Sequence, residues 1–189
     1  MLLLLPLLIT AATLPELRIE AIDEGSALVI RNTHPSDALT AYLVELVDYP
    51  GSSYAFSQDE LAQGGEPLAA GKQRRVPVAN MTVGAAPDYM KMRAALFADG
   101  STAGDADKVA QLRARRALLL KTVREILAHP ADLKSLYDAI PVSNSKLKRS
   151  APEIVDQASR RALFAEALSM PSKEAMLAAF RAREAALAK

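Results

Sequence analysis

The chain has no cysteine, no tryptophan and only two histidines among its 189 residues. Without a thiol there is no disulfide framework, no thiolate nucleophile and no sulfur-ligated zinc, and His34 and His129 alone fall short of the usual imidazole metal cages. Aromatic residues make up 5% of the sequence, and the basic stretches lack the stacking platform on which single strands are bound. There is no Gly-x-Ser-x-Gly elbow to present a serine nucleophile. The apolar run from Leu2 to Ile9 is far shorter than the roughly 20 residues a helix needs to cross a bilayer.

Half the residues are hydrophobic and 24% are charged, a globular composition with length for one large or two small domains. The net charge of +1 conceals a division. Leu14 to Asp105 carries 7 basic and 13 acidic residues, net −6, and Ala106 to Lys189 carries 16 and 9, net +7. Such a split points to two segments with different roles, or to two that dock on each other. Because acids interleave the basic residues, a nucleic-acid partner is not expected.

The start, "MLLLLPLLITAATLPEL", is apolar and then small at Thr10, Ala11 and Ala12. This is the layout of a secretory signal, expected over residues 1–12, and it places the protein in the periplasm or outside the cell. No Lys or Arg precedes the run, and the alternative is an apolar first β-strand of a cytoplasmic chain. No Cys follows it, so a lipoprotein anchor is unavailable.

From 14 to 105 the pattern has period two. Leu17 and Ile19 alternate with Arg18 and Glu20, and Leu39, Ala41 and Leu43 with Thr40 and Tyr42; Leu28 and Ile30 lead to Asn32, and Val76 and Val78 follow the polar run "GKQRR", with turn compositions "DEGS", "NTHPSD", "DYPGSS" and "QGGEP" between. Short strands without intervening helices predict an antiparallel β-sandwich. Met90, Met92, Ala94 and Leu96 are expected on one inward face. Ser57 to Ala70 fits strands poorly and is expected to be a mobile crossing loop with one helical turn at Asp59 to Ala62.

After Asp105 the period becomes 3.6. Val109, Leu112, Leu119, Val123 and Ile126 share one face of a helix expected over Ala106 to Ala128, stopped by His129-Pro130. Arg116 sits inside that apolar face, so its guanidinium either snorkels out or meets a carboxylate of the acidic half. A shorter helix is expected over Ala131 to Ile140. A third follows the capping box Ser150-Ala-Pro-Glu153, with Ile154, Ala158, Ala162, Ala165 and Leu168 inward. A fourth follows Pro171, with Met176, Phe180 and Leu187 inward.

The stretch around Asp99-Gly100-Ser101 invites a calcium reading, but an EF-hand loop needs Gly sixth and Glu twelfth, and the twelfth residue counted from Asp99 is Ala110. A two-residue hairpin turn at Asp99-Gly100, and a helix cap at Asp105 or Asp107, account for every letter. His34 with Ser36 and Asp37 lies in one turn, where nothing aligns a base against a nucleophile, and His129 caps a helix C-terminus. Met81, Met90 and Met92 are core filler rather than a copper(I) site. Asn80-Met81-Thr82 fits a glycosylation pattern that chance supplies often. "GKQRR" at 71–75 and "KLKR" at 146–149 are solvated basic loops, and Asp23-Glu24 and Asp59-Glu60 are turn acids. No catalytic residue, metal ligand or cofactor is assigned.

The runs "SALVIRN", "LTAYLVEL" and "YMKMRAALFADGS" resemble immunoglobulin-like or fibronectin type III-like sandwiches of exported bacterial proteins. That resemblance implies a fold and no particular ligand site. The expectation is therefore an α+β protein: an Ig-like sandwich over 14–105 and an α-helical region of three to four helices over 106–189. Its role would be that of a non-enzymatic protein-binding, adhesion or scaffold module of the cell envelope, with another envelope protein as partner. The alternative is a binder of anionic membrane surfaces or partner helices through the basic helices from Ser150 onward. No oligomeric state is legible.

Overall fold

The computed structural model describes residues 12–22, 25–46, 54–78, 90–142 and 152–188. Residues 1–11 of the expected signal segment, Asp23-Glu24, the glycosylation pattern, Met81, the basic run at 146–149 and the capping-box serine lie outside them, and Ala12, the last residue of that segment, packs against the core between the sheets. The α+β class is observed. Seven strands, β1 (Glu16–Ile22), β2 (Gly25–Arg31), β3 (Leu39–Leu46), β4 (Tyr54–Asp59), β5 (Gln73–Val78), β6 (Met90–Phe97) and β7 (Thr102–Gly104), precede four helices among the described residues. The helices are α1 (Ala106–Ala128), α2 (Leu133–Ala139), α3 (Pro152–Ser169) and α4 (Lys173–Leu187).

The strands form two antiparallel sheets, ordered β1-β2-β5 and β4-β3-β6-β7. Leu28 and Ile30 of the first sheet share one core with Tyr42, Val44, Met90, Met92, Ala95 and Phe97 of the second. The opposite face of the second sheet, Ala41, Leu43, Ala94 and Leu96, is covered by Val109 and Leu112 of α1. Farther along, α1 turns Leu119, Val123 and Ile126 into a separate helical core with Leu163, Phe164, Met176 and Phe180. One helix of 23 residues, about 34 Å at 1.5 Å per residue, thus serves two cores.

Four expectations are corrected. Met90 to Leu96 is not one face, because Arg93 is an extra residue between the pairs Val44↔Met92 and Leu43↔Ala94, and Thr40 is its counterpart between Leu39↔Phe97 and Ala41↔Leu96. Each bulge flips the alternation, so Met90 and Met92 face the other sheet whereas Ala94 and Leu96 face α1. The bulge at Arg93 also explains Gly104 on the adjoining strand: it has φ 104°, and a Cβ there would run into the Arg93 carbonyl oxygen.

Ser57 to Asp59 belong to β4, and the segment after it is fastened rather than loose. Leu68 is buried and exchanges backbone bonds with Leu39 at 2.9 and 3.0 Å. Gln73 to Arg75 likewise belong to β5, with Arg74 on Glu60 and Arg75 on Glu20, both at 2.5 Å. On α3 the buried face is Leu163, Phe164 and Ala167, and Ala158, Ala162, Ala165 and Leu168 are exposed. Burying a phenylalanine and a leucine removes far more apolar area from water than burying an alanine stripe.

Candidate functional site

The junction between the second sheet and the helices holds the buried charge. Arg116 projects from the apolar face of α1, and Asp59 ends β4 with its side chain 8% exposed. Arg116 Nε donates to Asp59 Oδ2 at 2.7 Å, and Nη2 donates to Thr40 Oγ1 at 2.9 Å. Thr40 is the bulge residue of β3, and its hydroxyl donates to the Leu96 carbonyl at 3.0 Å. Arg116 thus meets a carboxylate of the acidic half, one of the two outcomes its position required. Asp59 and Glu60, expected as turn acids, are both buried.

The turn after β4 carries this seam into the helical core. Ala62 packs among the helices, and Gly64, at φ 66°, lies so close to the Arg183 guanidinium that a Cβ would collide with it. Arg183 of α4 is buried, stacks 4.9 Å from the Phe180 ring centre, and donates to both oxygens of Glu166 at 2.8 and 2.6 Å.

Two cavities flank the seam, Asp59 lining one and Arg116 the other. The larger, about 500 Å³, opens between the β6–β7 hairpin, the segment after β4, α1 and α4. Leu61, Pro67, Phe97 and Ala186 form its apolar part, and Ser101, Arg113 and Arg116 its polar part. Arg113 is exposed and pairs with no carboxylate among the described residues. The smaller, about 180 Å³, lies against Arg115.

His34, in the β2–β3 loop as expected, packs behind two residues of the larger cavity's lining, Phe97 and Ser101. Its ring is buried, 8% exposed, and tilts on Phe97 with centroids 4.6 Å apart. Asn32 ties the loop down, accepting from His34 N at 2.9 Å and donating to the Asp37 and Leu68 carbonyls at 2.8 Å each. His34 Nδ1 accepts the Asp37 backbone N–H at 2.9 Å. Nε2 lies 3.4 Å from Ser101 Oγ, and that hydroxyl donates to Asp99 Oδ1 at 2.6 Å.

A histidine flanked by Ser101 and by Asp37, whose Oδ2 is 3.8 Å from Nδ1, has the outline of a triad. The hydrogen bonds run the wrong way. With Nδ1 accepting, the neutral ring carries its proton on Nε2 and donates to Ser101, whereas a general base must offer the serine a lone pair. The same inversion weighs against a metal, although ligand atoms of His34, Asp37 and Asp99 lie within 4.8 Å of one another. A metal-bound imidazole normally donates from its other nitrogen, and here that nitrogen accepts. The arrangement is a clasp between the β2–β3 loop and the β6–β7 hairpin.

The hairpin itself is a correction. Phe97 N donates to Ser101 O at 3.1 Å, so three residues, Ala98 to Gly100, make the loop, with Gly100 at φ 84°. The Ser101 hydroxyl, followed by its backbone N–H, holds the Asp99 carboxyl below the usual range. Asp105 occupies the N-cap position of α1, but its side chain makes no capping bond and lies 3.3 Å from Arg93 instead. His129 takes the C-cap position, its backbone N–H bonded to the Glu125 carbonyl.

Comparison with family models, with curated proteins and with solved structures returned no match.

Proposed function

We infer that the protein is an exported, non-enzymatic binding module of the cell envelope, built on an Ig-like sandwich whose helical region is fixed against it. The observation that carries this reading is the cleft at the junction. Its walls come from both halves of the chain, and it combines an apolar lining with Arg113, a cation that no described carboxylate neutralises. A concave apolar surface with a few convergent polar groups is the usual form of a recognition site. The partner it suits is an envelope protein that presents an acidic side chain beside an apolar one.

The membrane reading is less well supported: of the two apolar faces it needs, that of Met176 and Phe180 is buried in the helical core, 2% and 0% exposed, and that of Ile154 and Leu168 offers Leu168, 41% exposed, beside a half-buried Ile154. No described helix is long and apolar enough to cross a membrane.

The test is capture from envelope extract on the immobilised chain, with Arg113→Glu in parallel and flotation with anionic vesicles at low and high salt. The expected result is one partner retained by the wild type and lost from Arg113→Glu, without flotation. Equal retention by both proteins removes the cleft from the reading, and salt-sensitive flotation replaces the protein partner with a membrane.

A further inference from the structure

The smaller cavity, about 180 Å³, lies between α1, α3 and the end of β4. Its polar wall is Arg115, whose Nη1 donates to Ser57 Oγ and Nη2 to Ser159 Oγ at 2.7 Å. Ser159 in turn donates to the Val155 carbonyl at 2.8 Å. Both partners of the guanidinium are neutral oxygens, which orient the charge without cancelling it. The acids on the cavity wall are already matched, Asp59 by Arg116 at 2.7 Å and Glu166 by Arg183 through two bonds.

Burial lowers the Arg115 pKa from its usual value by more than the nearby Asp156 and Asp59 raise it. A guanidinium that its surroundings stabilise less well than water does gains from an entering anion. Facing it are Ala62, Leu119, Ala162 and Leu163.

We propose that this cavity binds a small free monocarboxylic acid, its carboxylate on Arg115 and its apolar body against Leu119, Ala162 and Leu163. The size fits, since a cavity of about 150 Å³ takes up benzene. The volume of about 180 Å³ here therefore suits an aromatic ring or short branched chain with one carboxylate. A phosphate dianion is the poorer match. It would bring a second negative charge beside Asp59, Asp156 and Glu166, with one guanidinium to receive it, and would leave the apolar wall unused. The site is separate from the cleft at Arg113 and stands whether or not that cleft binds a protein.

Benzoate is the probe, titrated into the full chain with NMR and thermal unfolding as readouts, against benzyl alcohol as its neutral counterpart and inorganic phosphate as the simple anion. Benzoate is expected to saturate, to move the Ser159 and Leu163 resonances and to raise the melting temperature, with benzyl alcohol weaker by about tenfold or more. Arg115→Gln is expected to weaken benzoate by a similar factor. Ala162→Met fills the apolar side without touching the charge, is expected to abolish binding, and keeps the test open if Arg115→Gln unfolds. Equal binding of benzyl alcohol, phosphate as effective as benzoate, shifts centred on Arg113, or no saturable response to benzoate would each overturn the assignment.

Discussion

Asp59 and Arg116, 57 positions apart in the chain, meet at 2.7 Å where the last residue of β4 touches the middle of α1. The contact joins the net-negative half of the chain to the net-positive half inside the molecule, so part of the charge split is used in holding the halves together. Arg116 also reaches Thr40, whose place in the strand is an inserted residue. A bulge re-aims a side chain. Here it turns a hydroxyl toward a cation that would otherwise have one buried partner fewer.

Replacing Arg116 with methionine keeps most of the stem volume and leaves Asp59 buried without its cation. Removing one partner of a buried pair costs about 3–5 kcal/mol. Because Arg116 retains 19% of its side-chain exposure, about 3 kcal/mol is expected, read by urea denaturation. Adding Asp59→Leu to the same protein should restore most of the loss, since replacing both members by apolar groups is often close to neutral. A loss under about 1 kcal/mol for Arg116→Met would mean that water reaches Asp59.

Gly104 and Gly71 both have positive φ, 104° and 70°, but only Gly104 has a backbone carbonyl where its Cβ would stand. Gly71→Ala bears the conformational cost alone, about 1 kcal/mol. Gly104→Ala must also push back the Arg93 bulge, and about 3 kcal/mol or more is expected. Equal melting temperatures for the two variants would show that the bulge yields freely.

The helical half was largely legible because periodicity reports burial on one face. The bounds of α1, Ala106–Ala128, agree with those read from the spacing of Val109, Leu112, Leu119, Val123 and Ile126. The two-sheet pattern was legible for the same reason, but the bulges at Thr40 and Arg93 were not. Around Thr40 the strand is buried on both sides from Leu39 to Val44, so an inserted residue leaves no mark on the alternation, and at Arg93 the polar–apolar alternation of Met90 to Arg93 runs straight on into Ala94 and Leu96 although the inward face has changed. The site was the least legible part. A carboxylate at the end of a strand looks like a turn acid until its cation, 57 residues on, is seen beside it. Likewise nothing local ties Ser101 to His34, 67 positions earlier. On α3, equal weight for every apolar letter favoured an alanine stripe over the face that holds Phe164.

His34 supplies a test that separates a clasp from a catalytic base. With Nδ1 accepting the Asp37 N–H, the neutral ring is expected as the Nε2–H tautomer, visible in long-range proton–nitrogen correlation spectra. Ser101 should resist fluorophosphonate labelling, because its hydroxyl donates to Asp99 at 2.6 Å and faces a donor rather than a base. An Nδ1–H tautomer together with labelled Ser101 would return the triad to consideration.

Glu45 gives the pH dependence. Its carboxyl is held below the usual glutamate range first by a hydrogen bond from Arg93, at 2.9 Å, and then by Lys108, at 3.3 Å. The folded chain therefore releases this proton more readily than the unfolded one. Above the ordinary glutamate pKa both states are ionised and the stabilisation is complete. As pH falls the unfolded state takes up the proton first, and the contribution drains away until the folded carboxyl is protonated as well. Glu45→Gln should consequently melt below the wild type at pH 7, with the gap closing progressively as the pH falls through and below the ordinary glutamate range. Arg93→Met should reproduce most of that pattern, since Arg93 is the main cause of the shift. A gap that stays constant from neutral to acid pH would show that the substitution acts through packing, and that the ion pair adds little to the fold.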